Sequence, residues 1–286
     1  MPEEEAGHEP VMVREVVRFL GGRGTVIDMT LGAGGHAAAL LESGVVRVIG
    51  FDRDPDAIVI ANRRLASYGD RFSARRSRFS EMPVEHRVDG VLYDLGVSSM
   101  QLDRPERGFS YRVSGPLDMR MGPDGESAME FVNGQDEEEI ARVLFEYGEE
   151  RRSRRVAAAI VRARSRSPIR TTDELARIVA GALGGRRGGP HPARRTFQGL
   201  RIAVNRELEE LATSLPRAVG LLAPGGRIVV IAYHSLEDRI VKRFLVGEPS
   251  LVVLTKKPLQ PNAAEVARNA RARSAKLRAA EIQEAA

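Results

Sequence analysis

Short apolar runs alternate with helical periodicity along the first hundred residues. Thr25–Met29, Val45–Phe51, a weaker Arg71–Arg75 and Val88–Tyr93 are brief runs of mainly apolar or β-forming residues. Helix-period patterns lie between them. That alternation predicts an α/β fold, a doubly wound, mostly parallel sheet with helices on both faces. A fifth strand, Arg227–Ala232, follows the turn Pro224-Gly225-Gly226, and Ser250–Thr255 is a further candidate. Residues 95–225 separate the fourth and fifth strands, far more than a crossover connection needs. Most of that interval reads as helix. Asp136–Tyr147 and Glu149–Arg164 are periodic, Thr171-Thr172-Asp173-Glu174 offers a capping box for a helix through Leu183, and one long helix is expected from Thr196 to about Ser214. The predicted organisation is a sheet-bearing core of residues 1–104 and 210–286 interrupted by an inserted helical domain, 105–209. The segment GGRRGGP between Leu183 and His191 should be a mobile loop. The tail Ala263–Ala286, rich in Ala, Arg and Lys, reads as a surface helix or a basic arm.

The first strand, turn, helix and second strand carry the clearest chemistry. The strand ends at Asp28, Gly32-Ala33-Gly34-Gly35 follows, and the next strand ends at Asp52. Glycines let backbone approach a ligand, and an acid about twenty residues beyond the first of them can accept hydrogen bonds from ribose hydroxyls. The pattern fits an adenosine-bearing cofactor and leaves its identity open. Gly32-x-Gly34-x-x-Ala37 matches the GxGxxA form of NAD enzymes. S-adenosylmethionine (SAM) proteins use the same architecture with an acid at the end of the first strand, which Asp28 supplies.

Composition narrows the choice of chemistry. The 286 residues include no cysteine, which rules out disulfides, thiolate-held zinc and the thiolate addition that methylation of cytosine carbon 5 normally needs. No apolar run approaches the ~20 residues of a membrane span, and the acidic start MPEEEAGHEP is not a secretion signal, so a cytoplasmic location is expected. The net charge is +5 and the pI about 9.8, with arginine dominant over lysine. Residues 151–170 hold eight arginines, and in a helix Arg151, Arg155, Arg162 and Arg166 would share a stripe beside Val156, Ala159, Ile160 and Ala163. Arg186, Arg187, Arg194, Arg195, Arg201 and Arg206 form a second basic cluster. Lys256, Lys257, Arg268, Arg271, Arg273, Lys276 and Arg278 form a third. A single charge run is usually a solvated face; three favour nucleic acid, and backbone contact with RNA more than duplex readout.

The fourth strand ends in Tyr93-Asp94-Leu95-Gly96. Ligands of open α/β sheets bind at the carboxyl ends of strands, so Asp94 sits where cofactor and substrate should meet. SAM enzymes acting on exocyclic amines often carry an acid there, followed by Pro-Pro-aromatic; this chain keeps the acid and lacks the rest. Tyr233-His234-Ser235 follows the fifth strand at the same edge. His234 could meet a base or phosphate, or be satisfied by Glu237, Asp238 or nearby backbone. His36 and His191 have no partners at metal spacing, so no metal is expected.

Beyond these patterns the chain resembles the ribosomal RNA small subunit methyltransferase H family, SAM-dependent enzymes that methylate N4 of a cytidine in 16S rRNA. The matching strings run nearly end to end: HEPVM at His8–Met12, DMTLGAGGH at Asp28–His36, FDRDPDAI at Phe51–Ile58 and YDLGVSSMQLD at Tyr93–Asp103. RGFSY at Arg107–Tyr111, GPLDMRM at Gly115–Met121, YGEER at Tyr147–Arg151 and HPARRTFQGLRIAVN at His191–Asn205 continue the match. It closes with LAPGGR at Leu222–Arg227, HSLEDRIVKRF at His234–Phe244 and RARSAKLR at Arg271–Arg278.

The resemblance implies a SAM site of Gly34, Gly35 and His36 in the turn, Asp52 at the ribose, Phe79 beside the adenine, and Asp94 and Gln101 after the fourth strand. It also implies that the inserted domain recognises 16S rRNA or the small ribosomal subunit, and it leaves room for a homodimer. From its own surroundings Phe79 reads as ordinary core. Met100 stands where the family usually has proline, which would loosen the loop carrying Gln101. Gly199 replaces a usual alanine and Ala270 a usual proline. Asp94 is the expected acceptor of the substrate amine. Against an NAD oxidoreductase stand the late Pro-Gly-Gly turn and the lack of a hydride-transfer acid/base pair. Against an RNA-binding module without chemistry stand Asp52, Asp94 and the intact turn.

Overall fold

The computed structural model describes residues 10–82, 86–184, 189 and 191–283. His8, Arg186, Arg187 and most of the GGRRGGP loop lie outside the described residues. The chain divides into two compact units, Met1–Gly96 with Leu208–Ala286, and Val97–Glu207.

The first unit opens with α1 (Val13–Leu20), β1 (Thr25–Asp28), α2 (Gly35–Glu42), β2 (Arg47–Asp52), α3 (Pro55–Arg64), β3 (Phe72–Arg76) and β4 (Val88–Asp94). The second unit contains α4 (Ser99–Asp103), α5 (Ala128–Gly134), α6 (Glu137–Glu146), α7 (Ser153–Arg164), α8 (Thr172–Leu183) and α9 (Arg194–Asn205). The chain then completes the first unit with α10 (Glu207–Leu221), β5 (Leu222–Ala232), α11 (Ser235–Gly247), β6 (Leu251–Val253), α12 (Ala263–Arg268) and β7 (Lys276–Ile282).

Among the described residues, seven strands form one sheet in the order β3-β2-β1-β4-β5-β7-β6. β1 to β5 pair in parallel, and β7 runs antiparallel to both its neighbours. Each central strand feeds two cores by period-two alternation. Val26, Leu92, Val229 and Ile231 join Val16, Leu20, Leu40 and Leu65 of α1, α2 and the end of α3. Ile27, Val91, Tyr93, Ile228 and Val230 join Leu211, Leu215, Val241 and Leu245 of α10 and α11. Burial on both faces is why these strands read as nearly continuous apolar runs.

Several expectations need correction. The basic tail is a surface helix only in part: Ala263–Arg268 forms α12, but Leu277, Arg278, Ala279 and Ala280 are buried, and β7 sits inside the sheet. Its charges hid it, because Lys276 and Arg278 spend theirs on Asp238 of α11, at 3.3 and 2.7 Å. The long helix from Thr196 is two helices, broken where Arg206 adopts φ 52°. Asn205, 2% exposed, is committed at that break: its amide donates to the Met119 carbonyl and its oxygen accepts from Met121 N–H, both at 2.8 Å. The fifth strand begins at Leu222, before its Pro-Gly-Gly turn, with a register irregularity where Val88 and Gly90 face it.

The second unit packs around its own core, including Leu117, Phe131, Ile140, Leu144, Val156, Ile160, Leu175, Val179 and Leu200. The capping box at Thr171 and Glu174 forms as its spacing predicts. α7 starts only at Ser153, because Glu149 takes a left-handed conformation at φ 51°. Arg151 and Arg166 therefore fall outside the helix whose stripe they were to share. Among the described residues, no helix is long and apolar enough to cross a membrane.

Candidate functional site

β1, β2 and β4 are adjacent parallel strands, and each ends in an aspartate: Asp28, Asp52 and Asp94. The chain reverses direction of travel across the sheet between β1 and β4, the kind of switch point where open α/β sheets bind ligands. The glycine turn rises from β1 at this edge. Leu31 N–H donates to the Phe51 carbonyl and Gly32 N–H to Asp52 Oδ2, both at 2.9 Å, which ties the turn to the end of β2. Gly34 caps α2 at φ 77°, a conformation that side chains resist. A Cβ there would also come within 2.9 Å of Leu65. The turn is thus packed tightly against Leu65 and Pro10, with Gly34 buried and Gly32, Ala33 and Gly35 half-buried at the N-terminus of α2.

The three carboxylates differ in what they still offer. Asp28 is 1% exposed. Its Oδ1 accepts from Thr30 N–H at 3.1 Å, while Oδ2 has no hydrogen-bond partner among the described residues. Burial pushes its pKa up to about 6, partly opposed by nearby His36. A buried carboxylate oxygen without a donor is costly alone and favourable opposite a cation. Asp52 accepts from Gly32 N–H through Oδ2 and from Asp54 N–H through Oδ1, both at 2.9 Å. Each oxygen keeps a second lone pair for a diol. Burial raises Asp52 to about 6 as well. The orphan oxygen of Asp28, the pre-bonded Asp52 and the glycine cradle fit a cofactor that carries both an adenosine and an ammonium group.

Asp94 lies next to Thr30, whose hydroxyl accepts from Asp94 N–H. Its Oδ1 accepts from the Tyr233 hydroxyl at 2.7 Å, and its Oδ2 lies 3.5 Å from His36 Nδ1. Burial holds the Asp94 pKa above the usual carboxylate range, against the pull of His36 and Tyr233. His36, the second residue of α2, is 5% exposed, and its Nε2 contacts the Val11 carbonyl at 2.9 Å. Phe79 is half-buried just after β3, its ring edge-on to Tyr93 at 5.6 Å.

The first unit therefore brings together Gly34, Gly35, His36, Asp52 and Asp94 around one sheet edge. Gln101 belongs to the second unit. It is 5% exposed, and its oxygen accepts from Ser98 N–H at 3.1 Å in the capping box that opens α4. The segment expected as a loop loosened by Met100 is that short helix. His234 caps α11: its Nδ1 accepts from Glu237 N–H at 3.4 Å, and its Nε2 lies 3.1 Å from Glu237 Oε1. Tyr233 is the residue that sequence reasoning passed over. Its only signal was its place between the fifth strand and that capping histidine.

The basic clusters also sort themselves. In the second unit Arg152 donates to the Leu183 carbonyl and Arg164 to that of Val132, so both pin helix ends. Arg201 forms a two-pronged pair with Glu207, both bonds 2.9 Å. Arg154, Arg155, Arg162, Arg194 and Arg195 remain exposed.

Comparison with known proteins gives one consistent relationship. The sequence model of the MraW methylase family matches residues 5–283. The chain is 47% identical to the ribosomal RNA small subunit methyltransferase H of Heliobacterium modesticaldum, over 96% of this chain and 98% of that one. It is 49% identical to the protein of the same name from a Methylobacterium species, over 98% and 92%, and 48% identical to that of Rhodopseudomonas palustris, over 100% and 93%.

Proposed function

The chain belongs to the MraW methylase family, and from that premise we propose that it transfers a methyl group from SAM to the exocyclic N4 of a cytidine in 16S rRNA of the small ribosomal subunit. The observation that carries the cofactor reading is the buried Oδ2 of Asp28, which has no hydrogen-bond partner among the described residues. It calls for a cation, and the amino-acid end of SAM provides one. The pyrophosphate of a dinucleotide would instead set anions beside Asp28, Asp52 and Asp94.

SAM, when bound, supplies a methyl group on a positively charged sulfur. The residues of this chain do the rest by holding and orienting. Asp28 faces the ammonium group and Asp52 the ribose hydroxyls. Gly34 and Gly35 admit the ligand to the backbone, and Phe79 stands beside the adenine. Asp94 accepts the substrate amine. The exocyclic nitrogen of cytosine is a poor nucleophile because its lone pair is delocalised into the ring. Accepting its N–H bonds lets it pyramidalise toward the methyl group, and alignment supplies the remaining acceleration. The helical second unit, with Arg154, Arg155, Arg162, Arg194 and Arg195 exposed, suits contact with the rRNA backbone.

The deciding experiment follows labelled methyl from SAM into small subunits or 16S rRNA and identifies the modified nucleoside. N4-methylcytidine is expected; label at carbon 5, or none, overturns the reading. Asp52→Ala should weaken SAM binding by about 1–3 kcal/mol, the scale of charge-assisted hydrogen bonds. Unchanged affinity in calorimetry would remove Asp52 from the ribose.

SAM affinity should also depend on pH. Asp28 and Asp52 titrate near 6 without cofactor, so below that value protons compete with the ligand. Affinity should be flat above about pH 7. It should fall by up to about tenfold per pH unit, for each group engaged, as pH drops through 6. Binding that stays constant from pH 5 to 8 contradicts contact with either carboxylate.

A further inference from the structure

We propose that Tyr233 is a positioning residue for methyl transfer, holding Asp94 in the orientation and ionised form that receives the proton of the substrate amine. This rests on the reading of Asp94 as amine acceptor.

Geometry leaves Asp94 little freedom. Tyr233 O–H donates to Oδ1 at 2.7 Å. The tyrosine is itself fixed: its N–H donates to Glu237 Oε2 at 2.8 Å, and its ring lies over Gly96, where a Cβ would come within 3.3 Å. Gly96, at φ 95°, turns the chain away just past Asp94 and leaves room for that ring. On the other oxygen, His36 is oriented by backbone. A carbonyl can only accept, so the 2.9 Å contact with Val11 assigns a proton to Nε2. Nδ1 then turns toward Asp94 Oδ2 at 3.5 Å.

Among the described residues, four ionisable groups face Asp94: His36 from α2, Tyr233 from the junction of β5 and α11, Glu237 from α11, and Asp28 across Thr30. Glu237 and Asp28 disfavour its ionised form. Tyr233 and His36 favour it, so the tyrosine hydroxyl offsets part of the like charge around the site.

The step balances without a further reactant. The N4 lone pair forms the bond to the methyl carbon, the carbon–sulfur bond breaks, and its electron pair stays on sulfur. The methylated nitrogen, now positive, gives one N–H proton to Asp94, which passes it to water. At low pH Asp94 already holds a proton and cannot take another, so the rate should fall on the acid side. Losing the tyrosine hydroxyl raises the Asp94 pKa and should move that acid limb upward.

The test is the single-turnover rate of methyl transfer to small subunits, measured across pH for the full-length chain and Tyr233→Phe. The variant should be about 10- to 100-fold slower at pH 7. Its acid limb should lie roughly one pH unit higher, with SAM affinity little changed. A rate within twofold of the parent overturns the proposal. So does a slower variant whose acid limb has not moved, because a purely structural role predicts that result, and so does loss of SAM binding. If Tyr233→Phe does not fold, 3,5-difluorotyrosine at position 233, a stronger donor, should move the limb downward; an unmoved limb overturns the proposal equally. Asp94→Ala separates the two ideas. Full turnover in that variant defeats the amine-acceptor reading, whereas an inactive Asp94→Ala beside an unshifted Tyr233→Phe defeats only the role of Tyr233.

Discussion

Methyl transfer to 16S rRNA should fall by about 10²- to 10³-fold in Asp94→Ala, with SAM affinity changed by no more than about tenfold. The asymmetry follows from what the side chain does. An amine hydrogen bond that strengthens as the nitrogen becomes positive acts on the transition state more than on the bound ground state. Alanine also leaves the Tyr233 hydroxyl and His36 Nδ1 facing a gap where a carboxylate had joined them. Asp94→Asn keeps the shape and one acceptor oxygen but cannot take up the proton. It should therefore lose most of the rate and show no acid limb of its own. Single-turnover measurements with saturating SAM check both variants; turnover within a few-fold of the parent would remove Asp94 from the chemistry.

Asp28→Asn should act in opposite directions on cofactor and fold. Without ligand, burial raises the Asp28 carboxyl from 3.8 to about 6. A carboxyl raised in the folded state favours the fold below its unfolded pKa, and that benefit is lost as pH climbs from about 4 to about 6. At pH 7 the ionised group is therefore a burden on the cofactor-free protein. The neutral amide should make that form more stable by about 1–3 kcal/mol at pH 7. The same change removes the counter-charge of the ammonium group and should weaken SAM binding by about 2–5 kcal/mol. Thermal unfolding at pH 7 and calorimetric titration read the two effects separately. A variant that loses stability and affinity together would make Asp28 a structural residue.

The sequence makes the sheet legible where burial is two-sided. Val26-Ile27 and Val91-Leu92-Tyr93 must be apolar on both faces, and no helix-period pattern competes with them. The same reading passes over β7, because Lys276, Arg278 and Glu281 interrupt its apolar residues and only the fold reveals that Asp238 and Arg227 absorb those charges. The break at Arg206 is equally silent, since its cause is a contact between Asn205 and residues more than 80 positions away. At the site, Asp28, Asp52 and Asp94 are found by their places at strand ends. Phe79 and Gln101 rest on the family resemblance. Tyr233 required coordinates, because nothing local links a tyrosine after β5 to an aspartate 139 residues earlier.

The place of β7 sets a condition on biosynthesis. Because β7 lies between β5 and β6, β6 has no sheet neighbour until Lys276–Ile282 has emerged. A chain whose synthesis stops before Lys276 presents β5, an eleven-residue strand, with one side unpaired, an invitation to strand-to-strand aggregation. Nonsense or frameshift lesions late in the reading frame should therefore yield insoluble product and not a trimmed but working enzyme, even though every proposed contact with SAM is encoded upstream of them.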